Sequence, residues 1–200
     1  MFSLVRRKLA GTCLRMAGWE LFGETMKVKK AVLITAPHTS NWDFVWMILA
    51  AWHFDFKLSW LGKDSLFDSP LGGLLKALGG IGVDRSAANN LVEQIAQEYH
   101  RSDSLFIGIP PEGTRRYRDH WKSGFYYIAL EAGVPIIPTL LDYGHRRIGL
   151  GPMMVLTGDV PSDMDAFRVF YAGAKGKFPE QTGIIRLKSE DQEVIELRAS

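Results

Sequence analysis

Between residues 30 and 143 the chain switches repeatedly between apolar runs of strand length and longer segments with helical spacing. This alternation limits the possible folds more than any other feature of the sequence. "KAVLITA" (30–36) reads as a buried strand, and residues 44–54, "FVWMILAAWHF", as a helix that is apolar nearly all round. "FKLSWLG" is a second strand. Ser69-Pro70 has the form of an N-cap followed by proline at the first helical position, with Leu71, Leu74, Leu75 and Leu78 as the apolar stripe and Gly79-Gly80 as the stop. A short strand within "GGIGVDRS" (79–86) follows, and Ser86 caps a helix whose inner face carries Leu91, Ile95 and Tyr99. "SLFIGI", the helix "GFYYIALEAG" stopped by Gly133, and the strand "VPIIPTLLDY" complete the run. Beyond it, "MMVLTG" and "GIIRLK" read as strands, and Ser162 with Asp165 as a capping box opening a helix through Tyr171. The pattern predicts an α/β fold: a single domain with a largely parallel or mixed central sheet flanked by helices.

The N-terminal stretch is different. "MFSLVRRKLAGTCLRMAGWELF" has no continuous apolar centre, so it is neither a good signal peptide nor a transmembrane span. As a helix it is amphipathic. Phe2, Val5, Leu9, Cys13 and Met16 share one face, with Arg7, Lys8 and Arg15 on the other side. Basic charge opposite an apolar stripe suits an anionic membrane surface, and equally a helix docked on its own domain with solvated charges. Residues 1–24 are therefore set apart as an amphipathic helical segment. The net charge of +2 and the lack of a basic tract argue against nucleic acid. One cysteine excludes an internal disulfide framework, and no Cys/His cluster has metal-ligand spacing, so no metal is expected.

In open α/β sheets ligands collect where strands end and helices begin. Three polar clusters fall there. In "TAPHTSNWDF" (35–44) the first strand delivers His38 to a loop, Ser40 or Asn41 caps the next helix, and Asp43 lies in its first turn. A carboxylate on one imidazole nitrogen fixes the tautomer and leaves the other nitrogen to take a proton. The spacing works only if the loop folds back, and the plainer reading is a loop histidine and a first-turn acid. In "PPEGTRR" (110–116) a turn at a strand end puts Glu112, Thr114 and Arg115 at the sheet rim. Arginine matches phosphate oxygens with two donors, and the amides of Gly113 and Thr114 can add more. In "GGIGVDRS", Arg85 sits at a helix mouth, where it can meet the same anion. A surface turn and a solvated arginine are the plain readings of these two.

Together, "HTSNWD", "GGIGVDR", "PEGTR" and "VPIIP" resemble, in order and spacing, the four blocks of the glycerolipid acyltransferases, the lysophosphatidate (1-acylglycerol-3-phosphate) acyltransferase family. The resemblance covers roughly residues 29–142 and also takes in "GKDSLFDSPLGGLLKALGG". It implies that His38 is the general base and Asp43 its charge partner. It further implies that Arg85 and the block Glu112, Gly113, Thr114 and Arg115 serve acceptor binding, and that residues 25–200 are the acyltransferase domain. Two departures stand out: Gly82 where a bulky apolar residue is common, and a shorter N-terminal apolar anchor than many members carry.

The chemistry so implied moves a fatty acyl chain from a thioester, on acyl carrier protein or coenzyme A, to the hydroxyl of a lysophospholipid. No bound cofactor is needed, and the place of action is the cytoplasmic face of a membrane, held peripherally. The helix at 44–54 and the segment 134–138 are candidates for an acyl groove. Three other readings stay open: a different acceptor such as a lyso-ornithine lipid or a glycolipid, an acyl thioester hydrolase, and a lipid-binding protein without turnover.

Overall fold

A computed structural model describes residues 2–25, 27–83 and 88–191 of the chain, with the side chains of residues 2, 3 and 88–90 also outside the description. Its centre is a seven-stranded sheet built from β1 (Glu20–Phe22), β2 (Lys30–Ala36), β3 (Leu58–Lys63), β4 (Gly80–Val83), β5 (Leu105–Ile109), β6 (Ile136–Asp142) and β7 (Arg147–Leu150). The strand order is β1-β7-β6-β2-β5-β3-β4, and every pairing is parallel except the antiparallel β6–β7. The α/β sequence reading with a mixed sheet is borne out.

β2 lies in the middle and is buried on both faces, which is why it reads as a continuous apolar run. Val32, Ile34 and Ala36 enter one core layer, with Ile95, Tyr99, Phe125, Ile128, Met164 and Phe167. These partners come from α5 (Ala88–Arg101), α6 (Gly124–Ala132) and α7 (Val160–Phe170). Ala31 and Leu33 enter the opposite layer, with Leu14 of α1 (Phe2–Met16) and Met47, Ile48, Ala50 and Ala51 of α2 (Trp42–His53). Two short helices, α3 (Asp64–Phe67) and α4 (Gly72–Ala77), follow β3. Gly133 ends α6 at φ 62°, a left-handed position that glycine occupies without penalty.

Several local readings are corrected. "MMVLTG" makes only an isolated bridge between Met154 and Ile136, and "GIIRLK" forms no strand. The cap of α7 is Asp159, whose carboxylate accepts the Ser162 amide, so Ser162 lies inside the first turn instead of preceding it. Ser69 donates to the Leu66 carbonyl behind it and does not cap α4. Residues 136–138 are buried inside β6, within the core. Ser86 lies outside the described residues.

α1 carries its apolar stripe where the spacing puts it, but docks by another face. Ala10, Gly11 and Leu14 are buried, while Val5, Leu9, Cys13 and Met16 are exposed. Small residues explain the choice. A Cβ on Gly11 would lie 2.5 Å from Nδ1 of His53, so only glycine lets α1 approach α2 this closely.

Candidate active site

At its C-terminal end β2 passes through a cis Ala36–Pro37 peptide into the turn that carries His38. The turn does fold back. Nδ1 of His38 lies 3.1 Å from Oδ2 of Asp43, in the first turn of α2. The same Oδ2 accepts the backbone N–H groups of Thr39 (2.9 Å) and Ser40 (2.8 Å). The other oxygen, Oδ1, accepts the Tyr143 hydroxyl at 2.7 Å. Asp43 is fully buried, and four donors offset the cost of holding a carboxylate there. The cap position is Asn41, with no side-chain cap bond of its own, while Ser40 Oγ accepts the Trp42 amide. Among the described residues nothing bonds Nε2 of His38, whose side chain is 15% exposed. The arrangement is a ring held in one orientation with its second nitrogen open.

β5, next to β2 in the sheet, delivers the second cluster beside the first. Glu112 is 3% exposed, and its Oε1 accepts the backbone N–H of His38 at 3.2 Å. Oε2 is buried without a partner. Burial pushes this carboxyl up to about 7, with the negative charge of Asp43 acting in the same direction and the His38 amide opposing it. Gly113 turns the chain at φ 64°, and its amide donates to the Pro110 carbonyl. Thr114 is half-buried and Arg115 exposed on the rim of this turn. The C-terminal stretch clasps the loop: Ile184 N–H donates to Arg118 O, Trp121 N–H to Arg186 O, and Nε2 of His120 pairs with Asp191 at 2.7 Å.

Of the residues singled out in the sequence, His38, Asp43 and Glu112 come together, and Gly113, Thr114 and Arg115 follow directly on the same turn. Arg85 lies outside the described residues. Two partners of the site were not foreseen. Tyr143 is one; the signal for it was present, since it stands at the end of a strand, where ligands collect. Thr39 is the other. Its hydroxyl accepts the Phe178 amide at 3.2 Å, and Gly176 sits so close that a Cβ there would lie 2.6 Å from it. Nothing local in the sequence announces that contact.

Two open clefts, of about 530 and 470 Å3, lie elsewhere. The first is lined by Arg7, Lys27, His53 and Phe54, the second by Glu20, Leu140, His145, Arg147 and Phe170. Among the described residues no group of three or more His, Cys, Asp or Glu side chains is placed to hold a metal ion.

Comparison with known proteins fits this geometry. A family model described as Acyltransferase matches residues 20–142. A 1-acyl-sn-glycerol-3-phosphate acyltransferase of Haemophilus influenzae is 33% identical over 131 residues, covering 62% of this chain and 52% of the relative. A probable 1-acyl-sn-glycerol-3-phosphate acyltransferase of Mycoplasma pneumoniae is 31% identical over 127 residues, covering 60% and 48%. The chain thus spans about half the length of the curated relatives it matches. Among solved structures, the 1-acyl-sn-glycerophosphate (LPA) acyltransferase PlsC from Thermotoga maritima superposes with a TM-score of 0.60. The match covers 86% of this chain and 78% of that one at 14% identity, a likeness of fold alone.

Proposed function

The chain belongs to the acyltransferase family, and on that premise we propose that it transfers a fatty acyl group from an acyl thioester to the free hydroxyl of 1-acylglycerol-3-phosphate. The observation that carries the reading is the buried Asp43 carboxylate holding Nδ1 of His38, with Nε2 open. The acceptor hydroxyl is a weak nucleophile until a base takes its proton as the new bond forms. Nε2 of His38 accepts that proton. The hydroxyl oxygen bonds to the thioester carbonyl carbon, the carbon–sulfur bond breaks, and the sulfur leaves as a thiol with the proton returned by the imidazolium. Asp43 fixes the ring and balances its positive charge while the proton is held. No nucleophilic side chain and no bound cofactor enters the scheme; exposed Cys13, in α1, plays no part.

Arg115, with Arg85, grips the acceptor's phosphate so that its hydroxyl meets His38, a positional contribution to the rate. Gly113 and Thr114 shape that grip. Glu112 lies directly behind the base and completes the acceptor end of the site. The donor is carried by acyl carrier protein or coenzyme A.

Both substrates are reached from a bilayer surface, and the exposed stripe Val5, Leu9 and Met16 on α1 supports peripheral attachment through residues 1–24 at the cytoplasmic face. Trp42 and Val45, exposed at the start of α2, extend apolar surface toward the catalytic turn. Among the described residues no helix is long and apolar enough to cross a membrane. Residues 25–200 form the catalytic domain in this reading.

The test supplies a labelled long-chain acyl thioester and a panel of lysolipids in mixed micelles and identifies products by mass. Acylated 1-acylglycerol-3-phosphate is the expected product, and His38→Ala should lower the rate by about 10²–10⁴-fold. Preference for a lysolipid without phosphate would overturn the acceptor assignment. Thiol release at the same rate without acceptor would make the reaction hydrolysis.

A further inference from the structure

The sheet order places the proposed machinery asymmetrically. On one side of β2, β5 brings the Glu112–Arg115 turn to the sheet edge. On the other side β6 ends at Asp142 and Tyr143, and antiparallel β7 begins at Arg147, at the same edge. That second flank carries an exposed cationic set that the acceptor grip does not use: Arg146 and Arg147 from the β6–β7 turn, with His145 beside them, and Lys175 and Lys177 from the segment after α7.

The set is held together. Asp142, 4% exposed, accepts the backbone N–H groups of Gly144 (2.9 Å), His145 (3.3 Å) and Lys175 (3.1 Å), and its other oxygen meets Nδ1 of His145 at 2.6 Å. Tyr143 N–H donates to the Lys175 carbonyl at 2.8 Å. One buried carboxylate thus ties two segments of the chain, some thirty residues apart, into one surface. Asp142 is committed beneath the set, and Glu20 stands beside it, 4.0 Å from Nε of Arg147.

The set also touches the catalytic turn. Tyr143, between Asp142 and the basic turn, donates to Asp43; Gly176, between the two lysines, packs on Thr39; and Nζ of Lys177 lies 5.7 Å from the ring centre of Trp42. Its breadth is the second clue. Arg147 covers Phe22, which packs with the α6–α7 core layer, whereas Arg146 covers Trp19 in the α1–α2 layer. The cations therefore lie over both core layers at the sheet edge and do not converge on one of them.

We infer that this surface docks the acyl donor in the form of an acidic protein carrying the acyl thioester, an acyl carrier protein, seated so that its prosthetic arm reaches His38. The inference rests on the acyl-transfer reading, in which two anionic substrates must approach one base. The acceptor's phosphate is taken on the β5 flank, and the charge complement on the β6–β7 flank selects a partner that is acidic over a broad face. Exposed cations of this kind act mainly on the rate of encounter and are screened by salt.

The test compares the parent with Arg147→Glu/Lys175→Glu, leaving Lys177 beside Trp42 untouched and Arg146 in its left-handed backbone position. Three donors are offered: an acyl carrier protein thioester, an acyl-coenzyme A, and an acyl-pantetheine thioester with no acidic body. With the carrier donor, the variant's KM should rise at least about tenfold with kcat unchanged, while acyl-pantetheine turnover stays at the parent level and shows that the variant is folded. Salt at about 0.5 M should raise the parent's KM for the carrier donor and leave the variant's unmoved. If the pair misfolds, Arg147→Gln and Lys175→Gln singly should each give a smaller shift of the same kind.

Equal losses with carrier protein and coenzyme A would assign the set to a phosphate of a small donor and overturn the inference. Unchanged carrier kinetics with lost binding to phosphatidylglycerol vesicles would assign it to a lipid surface, with the same result. A parent that accepts the small donors, but whose carrier kinetics ignore charge reversal, overturns the inference alone. A parent inactive with all three donors overturns the acyl-transfer reading and this inference with it.

Discussion

The carboxyl of Glu112 accepts the backbone N–H of His38, so the turn after β5 holds the turn after β2 from behind. Burial raises this carboxyl to about 7, while an unfolded chain releases the proton near its ordinary value of 4.5. Between those two values the folded protein holds a proton that the unfolded chain has lost. Stability is therefore greatest below about pH 4.5 on this account and falls as pH rises through 7, by about 3 kcal/mol in all. Glu112→Gln keeps an oxygen acceptor for the His38 amide and has no proton to lose. Denaturant unfolding across this range should show the decline in the parent and a flat contribution in Glu112→Gln. A parallel decline in both would refute the assignment.

In the proposed reaction Tyr143 is a positioning residue that acts through Asp43, the carboxylate its hydroxyl bonds. Its hydroxyl is held well above its usual pKa by burial first and by the bond to that carboxylate next, so it stays a donor throughout the working range. Tyr143→Phe removes one of four donors to a buried charge and should cost about 1–3 kcal/mol of stability. The rate should fall about tenfold, or about 1.4 kcal/mol of barrier, with KM for both substrates unchanged. A change in KM without a change in kcat would place Tyr143 against substrate instead.

The exposed apolar residues of α1 make a separable prediction. Leu9→Ser/Met16→Ser alters side chains that are 61% and 83% exposed, so thermal stability should hardly move. Sedimentation with anionic vesicles should recover less of the variant, while turnover in detergent micelles stays at the parent level. Equal vesicle binding would remove α1 from the membrane contact.

Gly133 isolates backbone strain from packing. No atom lies within 4 Å of a Cβ built there, yet φ is 62°. Gly133→Ala should therefore destabilise by about 1–2 kcal/mol through conformation alone, read as a lower midpoint in denaturant with an unchanged slope.

What the sequence made legible was local. The run at 30–36 is a strand because it must be apolar on both faces, and Leu91, Ile95 and Tyr99 lie along one side of α5 with Ile95 and Tyr99 fully in the core. His38 and Asp43 could be paired on paper because a strand end and a helix start fix where each begins. What stayed hidden depends on partners far along the chain. β1 and β7 have three and four residues and exist because they pair with each other and with β6. The apolar run at 153–158 lacks such neighbours and forms only a bridge. On α1 the apolar stripe is the exposed face, while the docked face carries Ala10, Gly11 and Leu14, because at Gly11 only the absence of a side chain permits the close approach to His53. The depth of Glu112 is likewise a property of the assembled sheet and not of its motif.

Thr39, next to His38, is bonded by Phe178 and pressed by Gly176, although the matched family region stops at residue 142. A ribosome makes His38 and Asp43 more than a hundred residues before it reaches the segment that braces them. Nascent chains halted shortly after β6 would carry every signature motif yet lack the strap that closes the turn.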